Sequence, residues 1–291
     1  MMRKKRMLGL LICLLITLTG CGENQRNPLE QGQAIHMVSR EDGSGTRTAF
    51  TELFDVVTVD EAGKKQDAVT VEAEITNNTA VMMNAIAGDP AAIGYISMGS
   101  KNDTIKALSI DGVEGTPEHV RDGTYAISRP FFLAVREPLT PAADDFKNYI
   151  LSIEGQKIVQ ENGYVPLETN SPYVKAGASG KVVVAGSSSV SPVMEKLLET
   201  YQEICPEVTV ELQTNDSTTG VASVVNGISD LGMVSRSLRK EELEQGILEV
   251  EIARDGILVI VNKSNPLESL SKGQVRDIFT GKLMNWQEIV P

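Results

Sequence analysis

The 291-residue chain carries 27 Lys and Arg against 39 Asp and Glu, a net charge of −12. An excess of that sign argues against nucleic acid or an anionic lipid surface as a partner. Three cysteines in the whole chain are too few for a disulfide-stapled fold or a cysteine metal cluster.

The N-terminus reads as a unit of its own. Arg3, Lys4, Lys5 and Arg6 make a basic start, and Met7 to Leu18 is an apolar run of signal-peptide length. It is short for the ~20 residues of a membrane span, and no later segment approaches that length. Leu18-Thr19-Gly20-Cys21 resembles the lipobox of bacterial lipoprotein signals, which implies cleavage before Cys21 and its acylation. Residues 1–20 are therefore expected to be the signal peptide and 21–33 a polar tether from lipid to fold. Cys205 is then the one free thiol, read as a small buried hydrophobe. Taking away four basic and no acidic residues leaves 23 against 39, a net −16 for the mature chain. An anion site here has to work through local donors against an unfavourable overall field.

Beyond the tether, short β-rich runs alternate with helical patterns, which points to an α/β fold. In chain order the spacing predicts a strand over 34–38, helices over 46–56 and 79–87, and strands over 92–97 and 131–135. Helices over 141–151 and 156–162 follow, the second closed by Asn162-Gly163. After the linker 170–180, rich in Gly, Ser and Pro, come a strand over 182–185 and a helix opened by Ser191-Pro192 as cap and first residue. A strand over 208–212, a helix over 218–227 and a strand over 231–234 come next. The chain closes with a short helix over 240–245, two strands over 248–252 and 257–261, and a helix over 272–280.

Three stretches repeat one design, an apolar strand, then small polar residues, then a helix. They are Ser39-Arg40-Glu41-Asp42-Gly43-Ser44-Gly45-Thr46, Gly186-Ser187-Ser188-Ser189 and Asn215-Asp216-Ser217-Thr218. A helix start leaves up to four N–H groups without partners and carries about half a positive charge. Small residues admit a ligand close to that backbone, and hydroxyls add neutral donors. Arg40 would add a forked, permanently charged donor, with Asp42 placed to hold it. Singly, the loops read more often as an N-cap, a tight turn or a surface ion pair; together they describe an anion site.

The stretches S-R-E-D-G-S-G-T-R-T-A-F-T-E-L, G-S-S-S-V-S-P-V-M-E-K-L, G-I-S-D-L-G-M-V-S-R, D-G-I-L-V-I-V-N and I-F-T-G-K-L-M-N-W resemble the phosphate-binding proteins of bacterial phosphate ABC importers. The resemblance covers essentially the whole chain after the tether. It implies the two-lobe type II periplasmic-binding-protein fold, inorganic phosphate as ligand, permease and ATPase subunits of an importer as partners, and no cofactor. Carried over by motif, the phosphate contacts are Arg40, Ser44, Gly45 and Thr46 on one side and Ser188, Ser189, Ser217 and Ser235 on the other. Some members have an aspartate at the last position to accept the proton of hydrogen phosphate; here stands Ser235, with Asp216 as a candidate substitute acceptor. Sulfate or molybdate is thus a rival ligand.

The motifs come in an order that the family does not show, with the Arg40 half before the Ser188 half, so the chain resembles a circular permutant. On that reading lobe two comprises 34–129 and 257–291, lobe one 130–256, and the runs 129–135 and 255–262 are hinge strands. Rivals of other classes are a receptor that senses phosphate without an importer and a serine hydrolase, the latter needing a positioned base. His36 and His119, the two histidines, are read as local hydrogen-bonding groups. Met82, Met83 and Ile86 are read as a core face and Trp286 as packing.

Overall fold

The computed structural model describes residues 33–60, 63, 65–169 and 171–289. The expected signal peptide, Cys21 and all of the tether but Gln33 lie outside them.

In chain order the elements are β1 (His36–Arg40), α1 (Gly45–Leu53), β2 (Val57–Val59), β3 (Lys65–Asp67), β4 (Glu74–Thr76), α2 (Thr79–Gly88), β5 (Ala92–Ser97) and β6 (Ile105–Ile110). Then come α3 (Pro117–Arg121), β7 (Ser128–Val135), α4 (Pro141–Ile150), α5 (Ile153–Glu161), β8 (Gly180–Ser187), α6 (Ser191–Ile204), β9 (Val208–Asn215) and α7 (Ser217–Val225). The chain ends through β10 (Leu231–Val234), α8 (Lys240–Leu243), β11 (Leu248–Asn262), β12 (Ser269–Leu270) and α9 (Lys272–Phe279).

Most strands join one sheet in the order β4-β1-β5-β11-β7-β10-β8-β9, with β6 also on β11 and β12 on β6. Strand β11 is its pivot. Residues Leu248 to Gly256 pair with β7, and Ile257 to Asn262 pair with β5 and β6. Two strands were expected here, broken around Arg254-Asp255-Gly256. The strand runs through instead because Asp255 finds a buried partner across the ladder, while Arg254 exchanges backbone hydrogen bonds with Val165 at 2.9 Å each way.

Apolar side chains gather on either side of that pivot. One core draws mainly on Ile35 to Ile127 and Ile257 to Trp286. A second draws on Phe131 to Ala253. Alternation along β7 and β10 sends Leu133 and Met233 into the second core, and Ala134 and Val234 to a smaller cluster under α7.

Local chemistry explains most helix ends. Ser44, Asn78, Thr140, Ser152, Asp216 and Ser271 each accept an amide of the helix they open. Gly163 follows the Asn162 cap at φ 81°, where a side chain would be strained. Ser191 departs from expectation: it lies inside α6, and its hydroxyl meets Thr214 Oγ1 at 2.8 Å instead of capping. Strand β6 was not foreseen because its buried Ile105, Leu108 and Ile110 break the alternation that marks a strand. Met82, Ile86 and Trp286 are core residues, with Trp286 Nε1 donating to Ala91 O at 2.9 Å.

Candidate functional site

Strand β1 delivers Ser39 and Arg40 to the first polar loop. The Tyr95 phenol fixes them there, meeting Ser39 Oγ at 2.7 Å and accepting the Arg40 amide at 3.1 Å. Burial pushes that phenol up to about 12, so it stays a donor. Behind it, Tyr95 stacks on Phe50 of α1 with centroids 3.8 Å apart, which ties strand and helix together.

The Arg40 guanidinium is buried, and its partner differs from the one expected. Glu41 holds it in a fork, with Nε and Nη2 each 2.8 Å from a carboxylate oxygen. Asp42 is instead 96% exposed and pairs with Arg47 at 3.1 Å. The turn after Glu41 carries Asp42 outward, whereas the longer Glu41 side chain reaches back along the extended strand end. Arg47 in turn donates to the Arg40 carbonyl at 2.7 Å and to Asp67 at 2.6 Å.

Across from this loop stand the ends of β8 and β9. Gly186 has φ 137°, and a Cβ there would strike the Met233 backbone, so only glycine fits between β8 and β10. Arg40 Nη2 donates to Ser188 Oγ at 3.1 Å, and Thr46 Oγ1 meets Ser189 Oγ at 2.6 Å. Ser217 Oγ accepts the Ser235 amide at 3.1 Å and lies 3.3 Å from its hydroxyl, which also takes the Ser187 hydroxyl at 2.9 Å. A Cβ on Gly45 would strike Ser217 Oγ and come 2.6 Å from Ser235 Oγ, so α1 begins against the third loop and the end of β10. Thr218 closes the gap, its amide and hydroxyl donating to the Gly43 carbonyl at 3.3 and 3.1 Å.

Arg40, Ser44, Gly45, Thr46, Ser188, Ser189, Ser217 and Ser235 thus form one buried cluster. Ser44 Oγ accepts the Arg47 amide as N-cap at 3.3 Å, which leaves its own hydrogen for another acceptor. Asp216 stands at the rim as the α7 cap, its carboxylate taken by the Thr219 amide and hydroxyl. That geometry makes it the cap of α7.

Sequence reasoning passed over Thr79. Its hydroxyl lies 3.4 and 3.5 Å from Ser188 and Ser189 Oγ and 3.5 Å from Arg40 Nη1. The signal was present, since Asn77-Asn78-Thr79 is a fourth polar helix start. The N-termini of α1, α2, α6 and α7 therefore all bring residues to the cluster, a summed positive potential with no net charge needed.

Each buried guanidinium nearby has its own carboxylate. Arg236 is forked on Glu242 at 2.8 and 2.7 Å, and Arg129 sits on Asp255 at 3.2 Å. Burial pushes the Asp255 carboxyl up to about 6, against the pull of Arg129, Ser97 and the Met98 amide. The cluster opens beside Thr79 and Ser188 onto a cavity of about 780 Å³, also lined by Glu41, Asn78, Asn215 and Asp216. The histidines lie elsewhere: His36 pairs with Asp89 at 2.5 Å and His119 Nδ1 with Glu114 O at 2.8 Å. Among the described residues no His/Cys/Asp/Glu group could hold a metal ion, and no helix is long and apolar enough to cross a membrane.

Comparison with known proteins matches residues 18–154 and 171–291 to the PBP superfamily domain. The chain is 45% identical over 293 residues to phosphate-binding protein PstS 2 of Streptococcus agalactiae, covering 99% of each chain. It is 40% identical over 275 residues to phosphate-binding protein PstS 2 of Streptococcus pneumoniae, covering 94% of each. A crystal structure of the phosphate-binding protein of a phosphate ABC transporter from S. pneumoniae superposes with a TM-score of 0.69 at 40% identity, covering 89% of this chain and all of that one. With a buried cluster of converging helix starts in the fold and relatives matching nearly end to end, the chain belongs to the PBP superfamily, in the family of PstS phosphate-binding proteins.

Proposed function

We propose that the chain is an extracytoplasmic solute-binding protein, anchored through an acylated Cys21, that captures inorganic phosphate for the permease and ATPase subunits of an ABC importer. It is a binding protein and not an enzyme, as its relatives are. The observation that carries this reading is the meeting of Arg40 with the hydroxyls and helix starts of α1, α2, α6 and α7 in one buried cluster. Arg40 supplies the charge, the amides after Gly43 and Gly186 the dipoles, and Ser44, Thr46, Ser188, Ser189, Ser217 and Ser235 the neutral donors. Paired hydroxyls can turn from one another to a bound oxyanion without breaking the fold, because each rotates about its own bond.

Two lobes, 34–129 with 257–291 and 130–256, would close on the ligand about β7 and β11. The two cores on either side of β11 support that division. The chain order is best read as a circular permutation, joined through the linker 170–180. Titration calorimetry with inorganic phosphate tests the function. Micromolar affinity, about −8 kcal/mol, is expected; sulfate or molybdate binding tighter than phosphate would change the ligand, and silence toward all three would end the reading.

A further inference from the structure

Beneath the cluster lies a charged pair that the phosphate contacts do not account for. Arg129 of β7 and Asp255 of β11 are register partners on the strands that run between the two cores, and both are buried. Arg129 Nε and Nη2 donate to Asp255 Oδ2 at 3.3 and 3.2 Å. Asp255 Oδ1 accepts the Ser97 hydroxyl at 2.8 Å and the Met98 amide at 3.0 Å, both at the end of β5 in the first core. The remaining arm of the guanidinium, Nη1, donates to the Ser235 carbonyl at 3.0 Å. The amide and hydroxyl of that same Ser235 stand in the cluster.

A planar fork satisfies all these partners only in one orientation. It therefore fixes where Ser235 sits relative to β5, β7 and β11 together. It also satisfies the Ser235 carbonyl and puts a positive charge behind Ser235. Simple burial of an ion pair for stability is a poor reason for the arrangement, since apolar replacements are often as stable.

We propose that Arg129, held by Asp255, is a positioning residue for oxyanion capture, which keeps Ser235 in place and ties the cluster to the strands between the two cores. The inference rests on the phosphate-binding reading above. Its test is calorimetric titration of inorganic phosphate into the wild type, Arg129→Lys and the double variant Arg129→Gln/Asp255→Asn, with thermal melts alongside. The double variant removes both charges and leaves an amide at each position, so no lone buried charge remains. It is expected to melt cooperatively yet bind phosphate at least about tenfold more weakly, since the anion loses its ordered partner. Arg129→Lys keeps the charge without the fork and is expected to stay below the wild type. Wild-type affinity in either folded variant overturns the inference alone. Failure of the wild type to bind phosphate overturns the reading beneath it, and the inference with it.

Discussion

Arg40 is the charged donor of the cluster, and its value to an anion depends on what else it touches. Its Glu41 partner neutralises it at long range, yet Nη2 still reaches Ser188. Truncating it leaves the part-buried Glu41 without a cation and the anion without its fork. Arg40→Ala should weaken phosphate binding by at least about 2 kcal/mol, roughly thirtyfold. The carboxylates on either side of the turn should separate cleanly. Glu41→Ala frees the guanidinium to swing and should lower affinity, whereas Asp42→Ala, on an exposed partner of Arg47, should leave it within about twofold. Equal effects in calorimetry would show that Glu41 does not orient Arg40.

At the level of elements, what matters is how closely helix starts approach one another. Gly45 begins α1 without a positive φ, so alanine suits its backbone, and any cost comes from the space around it. A Cβ there meets Ser217 and Ser235 Oγ, however, and must push the first and third loops apart at a cost of roughly 1–3 kcal/mol. Gly45→Ala should therefore lower both the melting temperature and the phosphate affinity; retention of both would place the loops farther apart than the structure has them. The crossing of β7 and β11 has a pH signature. Asp255 titrates at about 6 in the fold against an ordinary 3.8, so the folded state holds that proton more tightly than the unfolded chain. Its contribution is complete below pH 3.8 and is lost as pH rises through about 6, by roughly 3 kcal/mol at ~1.4 kcal/mol per unit. Measured by denaturant unfolding, the stability of wild type relative to Arg129→Gln/Asp255→Asn should fall by about that much between about pH 4 and about pH 7.5. A difference that does not change with pH would contradict the effect of burial.

For the whole molecule, the donors come from both sides of one long strand. Closure on a ligand should compact the particle, and small-angle scattering should record a smaller radius of gyration with saturating phosphate. An unchanged radius would count against hinge motion. The overall charge works the other way from the site. Surplus carboxylates repel an incoming anion over a Debye length of about 10 Å at 0.1 M salt, so the association rate should rise with ionic strength. Stopped-flow rates that fall with salt would mean that a local positive field governs capture.

Much of this was legible in the residues themselves. Polar caps before apolar periods mark α1, α2 and α7, small polar residues precede α6, and a helix start is an anion-binding element wherever it occurs, so the Ser188 and Arg40 loops could be read before their placement was known. Excess acid and the lack of a disulfide framework follow from composition alone. Convergence could not be read that way, because hydrogen bonds such as Arg40 to Ser188 span 148 positions and exist only once β1 and β8 share a sheet system. For the same reason neighbouring carboxylates with equal claims on Arg40 were resolved only by the direction of one turn, which turns Asp42 to solvent and Glu41 inward. The Arg129–Asp255 pair was the least visible of all. A charge inside an apolar run looks like a break in the strand until a partner across the ladder buries it, and that partner is chosen by tertiary register.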